Sequence, residues 1–349
     1  MRKAMTRNLL IALFALVLAL PINARVVTDS AGRAVELPDR IDRVFAAGPP
    51  AAVLLYMLAP EKMVGWPRAL RPDERAYVAA PYRDLPETGR LTGRGGEANL
   101  ERLLAAEPDL ILDFGSVSDT YVDLANRVQA QTDIPYVLIN GRFSETAAAL
   151  RLLGDILGVS ERGERLAADF EQTLAAIDAI TADLPPEERP QVYLARGPVG
   201  LETGTRGSIN TEIIERAGGV NVMESAGRGR IVRTSIEQVL RANPDTVVTW
   251  DQEFYASVWD APVWSQVEAV QRERVYLAPS APFGWIDRPP SLNRVMGLKW
   301  MAAKFYPERW PKDLAAEVRD FYALYYQVEL SDAQLEVLLE WADGRPPRR

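Results

Sequence analysis

Arginine stands next to glycine or proline in several segments that read as loops, and this pairing suits the capture of an anion. Glycine lets the backbone approach a ligand closely, and guanidinium offers a rigid fork of donors to an oxyanion. Because the formal net charge is −8, arginines gathered around one cleft would select for a negatively charged ligand. The alternative for each single arginine is a solvated turn. The arginines that we predict to face a ligand are Arg68, Arg94, Arg142, Arg206, Arg230 and Arg288.

Three tryptophans, Trp66, Trp250 and Trp285, stand in or beside the same loops. Aromatic side chains form good walls for a chelate with planar or apolar parts, whereas core packing is the alternative reading for each of them. Trp285 is the strongest candidate because glycine and prolines flank it. We predict that Trp66 and Trp285 contact the ligand.

The composition removes much enzyme chemistry. The chain has no cysteine and no histidine, so disulfides, thiolates, the commonest transition-metal ligand and the commonest general base are absent. The Gly-Arg-Gly-Gly segment at 93–96 lacks the Lys-Ser/Thr of a nucleotide-binding glycine loop, and the negative net charge disfavours a nucleic-acid partner. A carboxylate-only hydrolase is the remaining enzymatic alternative. We expect no catalytic residue, no metal ligand and no cofactor.

The N-terminus predicts export. Arg2, Lys3 and Arg7 precede an unbroken apolar run from Leu9 to Leu20. Such a run is too short to span a bilayer, which needs about 20 residues, but it suits a secretory signal. We expect residues 1–24 to be removed after Ala24 and the mature protein to be periplasmic. Without a cysteine to carry a lipid, we expect it to diffuse freely as a monomer.

An internal repeat indicates the helices and strands that position these residues. Residues 99–112 recur at 235–248, so that Glu101 and Glu237, and the Pro-Asp pairs at 108–109 and 244–245, take equal places. In both copies a polar residue precedes apolar residues at helical spacing, and Pro-Asp leads into a short apolar run. Each copy predicts a helix, a tight turn and a buried parallel strand.

The repeat and its surroundings predict an α/β fold with two parallel-sheet lobes and a ligand cleft between them. Strands alternating with helices are typical of parallel sheets, whose ligands lie beyond the carboxyl ends of the strands. We place the first lobe at 25–143, a helical linker at 144–185 and the second lobe at 186–300. One long helix starting near Ser160 dominates the linker. An aromatic-rich helical tail at 301–349 is expected to pack on the second lobe.

This plan resembles the periplasmic binding proteins for iron–siderophore, haem and cobalamin uptake, over essentially the whole chain after residue 24. The segment 283–294, with the long tail, is similar to the branch that serves iron complexes and also includes molybdate and tungstate binders. A zinc- and manganese-binding cousin uses histidine ligands, which this chain lacks. The matching segments are Leu100-Glu101-Arg102, Thr203-Gly-Thr-Arg-Gly207, Glu215-Arg-Ala-Gly-Gly219 and Ile236-Glu237-Gln238.

The resemblance implies that the protein captures a solute for an ATP-driven ABC importer and performs no chemistry itself. It also implies that Glu101 and Glu237 dock on arginines of the importer's membrane subunits, with ordinary first-turn carboxylates as the alternative. An anionic ferric siderophore-type chelate is the leading ligand. Molybdate or tungstate comes second, followed by haem and cobalamin, and a receptor-coupled sensor of the same fold is a further alternative.

Overall fold

A computed structural model describes residues 25–93, 100–224 and 229–340. The predicted secretory signal and the predicted ligand residue Arg94 lie outside these ranges. Within them, no helix is both long and apolar enough to cross a membrane.

The first lobe is built on a three-stranded parallel sheet with β4 in the middle, preceded by the antiparallel pair β1–β2. Its strands are β1 (Arg25–Thr28), β2 (Ala34–Leu37), β3 (Val44–Ala46), β4 (Leu110–Gly115) and β5 (Tyr136–Asn140). Its helices are α1 (Pro49–Leu58), α2 (Pro72–Arg75), α3 (Leu100–Ala105) and α4 (Asp119–Thr132). The sheet strands are buried along almost their whole length, as expected for a parallel sheet covered on both faces.

The second lobe contains a four-stranded parallel sheet in the order β11-β10-β6-β8 and a separate antiparallel pair, β7–β9. Its strands are β6 (Gln191–Ala195), β7 (Glu202–Gly204), β8 (Val220–Asn221), β9 (Ile231–Arg233), β10 (Thr246–Thr249) and β11 (Val275–Leu277). Its helices are α7 (Glu212–Arg216), α8 (Ile236–Ala242), α9 (Gln252–Ser257) and α10 (Glu268–Gln271). The prediction of two parallel-sheet α/β lobes is confirmed.

The internal repeat corresponds to α3–β4 in one lobe and α8–β10 in the other. Each helix is followed by a residue with positive φ, Glu107 (43°) and Asn243 (39°), at the same place in the repeat. The aspartate of each Pro-Asp pair then binds the backbone at the start of the first strand of its sheet, at Arg43 just before β3 and at Gln191 in β6. The backbone N–H of Arg43 donates to Asp109 Oδ2 at 2.9 Å, and that of Gln191 donates to Asp245 Oδ2 at 3.0 Å.

The linker consists of two closely packed helices, α5 (Phe143–Ile156) and α6 (Ser160–Thr181). Helix α6 has 22 residues and begins at Ser160, with Val159 in the N-cap position. Glycine at 163 allows the close approach, because a Cβ there would lie only 2.6 Å from the Leu150 carbonyl oxygen. The long helix expected between the sheets is therefore present, and α5 braces it.

The C-terminal tail continues through α11 (Arg294–Phe305), α12 (Leu314–Phe321), a π-helical turn (Tyr322–Tyr326) and α13 (Asp332–Glu340). Its start contacts the second lobe, where Tyr306 Oη donates to the Gly218 carbonyl at 2.9 Å. Its end contacts the first lobe, where Tyr56 Oη donates to the Tyr326 carbonyl at 2.5 Å. The tail therefore packs on both lobes, because the buried tyrosines of the π-helical turn also pack against α1 of the first lobe.

Candidate functional site

A cavity of about 1030 Å³ lies between the two lobes. The first lobe contributes the start of α1 and residues 113–116 at the carboxyl end of β4, and the second lobe contributes residues just after β6 and the segment 280–290. This is where the carboxyl ends of the parallel strands predicted a ligand cleft. Its charged wall consists of Arg68, Arg71, Glu74, Glu87, Arg90, Arg102, Asp113, Arg196, Asp287 and Arg288.

Two first-lobe arginines in the cleft share one carboxylate. The Arg68 guanidinium binds Glu74 through two hydrogen bonds of 2.7 and 2.5 Å, and Arg71 Nη2 lies 3.0 Å from Glu74 Oε1. Glu74 is buried in α2, and Arg71 also contacts Asp73 on the exposed outer side at 3.2 Å. The arrangement fixes two guanidinium groups at the cleft wall while compensating much of their charge.

Arg288 provides a cation from the second lobe. Its guanidinium carbon lies 4.6 Å from the centre of the Trp250 ring, and within the described part of the chain no carboxylate forms an ion pair with it. Partial burial lowers its pKa, and the positive charges of Arg71 and Arg68 in the other lobe lower it further. Arg288 therefore brings a positive charge into the cleft that faces Arg71 and Arg68, and the negative charges of Asp251 and Glu74 act on it only from beyond ion-pair distance.

Arg196, the other second-lobe arginine of the cleft, is compensated. Its Nε lies 2.7 Å from Asp287 Oδ2, and its Nη1 lies 2.5 Å from Glu202 Oε1. Asp287 is buried and also accepts a hydrogen bond from Asn210 Nδ2. Burial raises the pKa of Asp287 to about 6, opposed by the charge of Arg196. We assign this cluster to positioning the floor of the cleft.

Asp113 is a buried carboxyl at the end of β4, and its residue is only 6% exposed. Tyr136 Oη donates to its Oδ2 at 3.2 Å, and Thr92 Oγ1 donates to its Oδ1 at 3.4 Å. Burial raises the pKa of Asp113 to about 6, against the lowering effect of these bonds. The segment 113–116 was expected at the rim of the cleft, but Asp113 is not among the residues predicted to contact the ligand, although a charged residue directly after an apolar run is a usable signal.

The two predicted tryptophans differ in position. Trp66 lines the cleft, with its Nε1 donating to the Tyr82 carbonyl at 2.8 Å and its ring 5.8 Å from that of Phe283. Trp285 has no exposed surface and does not line the cleft, so it is a packing residue. Helix α11 covers it, because a Cβ on Gly297 would lie 2.0 Å from the Trp285 carbonyl oxygen.

Of the six predicted arginines, Arg68 and Arg288 line the cleft. Arg142 instead crosses between the lobes, where its Nη2 donates to the Gly207 carbonyl at 2.7 Å. Arg206 Nε donates to the Asn221 carbonyl at 2.8 Å, and Arg230 borders a separate depression of about 250 Å³. Four further arginines of the cleft are not among the predicted ligand residues, although three of them adjoin glycine or proline in the sequence: Arg71, Arg90, Arg102 and Arg196.

Glu101 and Glu237 occupy the first turns of α3 and α8. Both are exposed and neither lines the cleft. Helix α8 begins with a capping box, in which Ser235 Oγ accepts from the backbone N–H of Gln238. The Ser235 hydroxyl lowers the pKa of Glu237, so this carboxylate is charged at neutral pH.

Comparison with known proteins agrees with the two-lobe plan. A family model described as periplasmic binding protein matches residues 46–282. The chain is 24% identical to the molybdate-binding protein MolA of Haemophilus influenzae, over 87% of this chain and 91% of MolA. It is 23% identical to an iron-uptake system-binding protein of Bacillus subtilis, over 56% of this chain and 63% of that protein. An ABC transporter solute binding protein from Sulfurospirillum deleyianum, 29% identical, superposes with a TM-score of 0.83 over 90% of this chain and 99% of that structure.

Proposed function

The chain belongs to the periplasmic binding protein family, and we propose that its ligand is an anionic metal chelate, most simply a ferric siderophore-type complex. The protein is an extracytoplasmic solute-binding protein of an ABC transporter system. The ligand, the residues that contact it and the docking residues are our proposals.

The observation that carries the proposal is positive charge facing positive charge across the cleft. Arg288 from the second lobe forms no ion pair among the described residues, and burial together with the charges of Arg71 and Arg68 from the first lobe lowers its pKa, although Asp251 and Glu74 oppose this shift. An anion placed between these groups replaces repulsion with charge-assisted hydrogen bonds to both lobes. The ligand would therefore favour the conformation that brings the lobes together.

The size of the cavity favours a chelate over a bare ion. A volume of about 1030 Å³ lies at the upper end of the range of about 300–1,000 Å³ that small-molecule sites occupy. A single tetrahedral oxyanion would leave most of this space to water. A chelate could use the arginines for its charge and the apolar wall around Trp66 and Phe283 for its organic parts.

Molybdate or tungstate is the second candidate. It is favoured by the similarity to MolA over 91% of the length of that protein. The paired guanidinium groups of Arg68 and Arg71 would also suit a small oxyanion. Cobalamin is less favoured because it has no net negative charge for the arginines to bind. Haem is less favoured because the chain has no histidine or cysteine, two of the usual axial ligands of haem iron.

In this proposal the protein binds as a monomer and catalyses nothing. Glu101 and Glu237 present one exposed carboxylate on each lobe, outside the cleft. We propose that they pair with arginines on the two membrane subunits of the importer. Such rim pairs set orientation and association rate more than affinity.

Titration calorimetry with a panel of probes tests the ligand class. The panel contains a synthetic hexadentate ferric tris-catecholate, ferric citrate, molybdate, a neutral ferric trihydroxamate and cyanocobalamin. We expect the polyanionic ferric probes to bind most tightly and their affinity to fall with added salt. Tight binding of a neutral probe alone would overturn the proposal. Tight binding of molybdate alone would show that the second candidate is the ligand class.

A further inference from the structure

Asp113 is the one group in the cleft whose charge opposes the proposed ligand without an ion-pair partner in the described ranges. Glu74 is bound by Arg68 and Arg71, Glu87 lies 3.5 Å from Arg102, and Asp287 lies 2.7 Å from Arg196. The hydrogen-bond partners of Asp113 are the hydroxyl groups of Thr92 and Tyr136 and the backbone N–H of Phe114, all of them uncharged. A buried carboxylate facing an anion without a cation would oppose binding.

The surroundings of Asp113 provide hydroxyl groups and no described counter-charge. Tyr136 approaches from β5, Thr92 from the segment after β3, and Tyr121 from α4 lines the same wall. Arg33 acts on the Tyr136 hydroxyl from the other side, but it is paired with Asp29 at 2.9 Å.

The hydrogen bonds leave room for a proton on the cleft side. Each carboxyl oxygen of Asp113 already accepts one bond from a neighbouring hydroxyl, Oδ1 from Thr92 and Oδ2 from Tyr136. As long as both hydroxyl groups donate to Asp113, neither can accept a proton that is added to the carboxyl group. Because Asp113 lines the cavity, that O–H can donate to a ligand oxygen.

We propose that Asp113 binds the ligand in its neutral form, donating its carboxyl proton to an anionic oxygen of the ligand, so that capture takes up a proton from solvent. This inference rests on the proposed anionic ligand, which it makes more specific. The ligand must offer a hydrogen-bond acceptor at the first-lobe wall, at the end of β4. It also makes affinity depend on pH at a cleft that contains no histidine.

The direction of the pH dependence follows from the raised pKa of Asp113, about 6 because of burial. Above pH 6 the empty cleft holds mostly the carboxylate, whereas the complex holds the acid. Binding then takes up close to one proton, and the affinity rises up to about tenfold for each pH unit of decrease between pH 8 and pH 6.

The test measures proton uptake directly. The synthetic ferric tris-catecholate is titrated at pH 7.5 into wild type, Asp113→Asn and Asp119→Asn in two buffers of different ionisation enthalpy, with molybdate as a second probe. Any protonation of the probe itself is common to all variants and cancels. Asp119, exposed at the start of α4, is the matched control.

We expect wild type and Asp119→Asn to take up between half and one proton more than Asp113→Asn. The amide of Asp113→Asn donates permanently, so this variant should bind at pH 7.5 at least as tightly as wild type. Asp113→Ala removes the donor and should lose both the proton uptake and part of the affinity.

Two results would overturn the inference. One is equal proton uptake by wild type and Asp113→Asn. The other is binding by Asp113→Asn that is tenfold or more weaker than wild type, since that would mean that the ionised carboxylate accepts a bond from the ligand. If Arg288→Ala weakens binding in either case, the proposed anionic ligand stands and only the role of Asp113 fails. If neither anionic probe binds, both proposals fail together.

Discussion

The two lobes share one plan but end it differently at the cleft. In both, a short helix, a positive-φ residue and a Pro-Asp pair lead into the central strand of a parallel sheet. The first lobe ends this strand with Asp113 and Phe114, whereas the second ends it with Thr249 and Trp250. Asp113 and Phe114 line the cleft, whereas Trp250 contacts Arg288, which lines it. The two lobes thus share a scaffold and differ where it meets the cleft.

The charge of the cleft differs between the lobes in the same way. The first-lobe arginines Arg68 and Arg71 converge on the buried Glu74. The second lobe pairs Arg196 with Asp287 but leaves Arg288 stacked on Trp250 without a described counter-ion. We infer that the first-lobe arginines are already held in place without ligand. Arg288 is the arginine whose charge an anionic ligand would compensate most.

The largest loss of stability is expected from removing a side chain that joins the two lobes. Arg294 is buried, its Nη2 donates to the first-lobe Gly141 carbonyl at 2.7 Å, and its Nη1 donates to the second-lobe Ile209 carbonyl at 2.9 Å. Removing one partner from such a buried charged network costs about 3–5 kcal/mol. Arg294→Met should lower the free energy of unfolding, measured with urea, by that amount.

Arg272→Met is the control for this variant, because Arg272 forms an exposed pair with Glu268 at 2.8 Å. An exposed pair of this kind contributes less than about 1 kcal/mol. Equal stability losses for the two variants would show that Arg294 does not join the lobes.

The next largest effect concerns the pH dependence of stability, which should differ between the carboxyl ends of β4 and β10. Asp113 has a pKa of about 6 in the folded protein against a model value of 3.8. Its contribution to stability is therefore complete below pH 4 and is lost as the pH rises through 6. At about 1.4 kcal/mol for each pH unit, wild type should lose about 2–3 kcal/mol between pH 4 and pH 7 that Asp113→Asn retains.

The second-lobe counterpart should show no such pH dependence. Thr249 Oγ1 accepts from the backbone N–H of Asp251 at 3.0 Å. Thr249→Val should cost about 1 kcal/mol at every pH between 4 and 7. Parallel pH profiles for wild type and Asp113→Asn would refute the assignment of the shifted pKa.

A third effect concerns affinity. Hydrogen bonds to charged groups contribute about 1.5–3 kcal/mol, so Arg288→Ala should weaken binding of the ferric tris-catecholate by about 10- to 150-fold. Arg71→Ala should have a smaller effect, since Glu74 still orients Arg68. Arg206→Ala, outside the cleft, should bind like wild type. A larger loss for Arg71→Ala than for Arg288→Ala would reverse the proposed difference between the lobes.

The smallest effect on affinity is expected at the two glutamates that take equal places in the repeat. Reversing Glu101 and Glu237 to lysine should leave the affinity for the same probe within twofold of wild type, since neither residue lines the cleft. Uptake and stimulation of the importer ATPase should fall. A tenfold loss of affinity, about 1.4 kcal/mol, would contradict a docking role.

The sequence predicts the scaffold well because the repeat is a local pattern. Helix, turn and strand depend on neighbours in the chain, so α3–β4, α8–β10 and the start of α6 could be placed. The first-lobe contact of the tail and the burial of Trp285 could not, because aromatic residues indicate burial but not the partner that covers them. Arg71 was missed because its position depends on the buried Glu74, which looks like an ordinary surface residue in the sequence. Asp113 was not singled out because its hydroxyl partners come from distant segments of the chain.

Native mass spectrometry with elemental analysis, on wild type and Arg288→Ala purified from the periplasm of the native host, tests the central claim most directly. We expect wild type to carry one anionic iron chelate per chain and Arg288→Ala to carry little or none. A neutral ligand without iron, or a chelate retained equally by both proteins, would contradict the claim that this cleft captures an anionic chelate through Arg288.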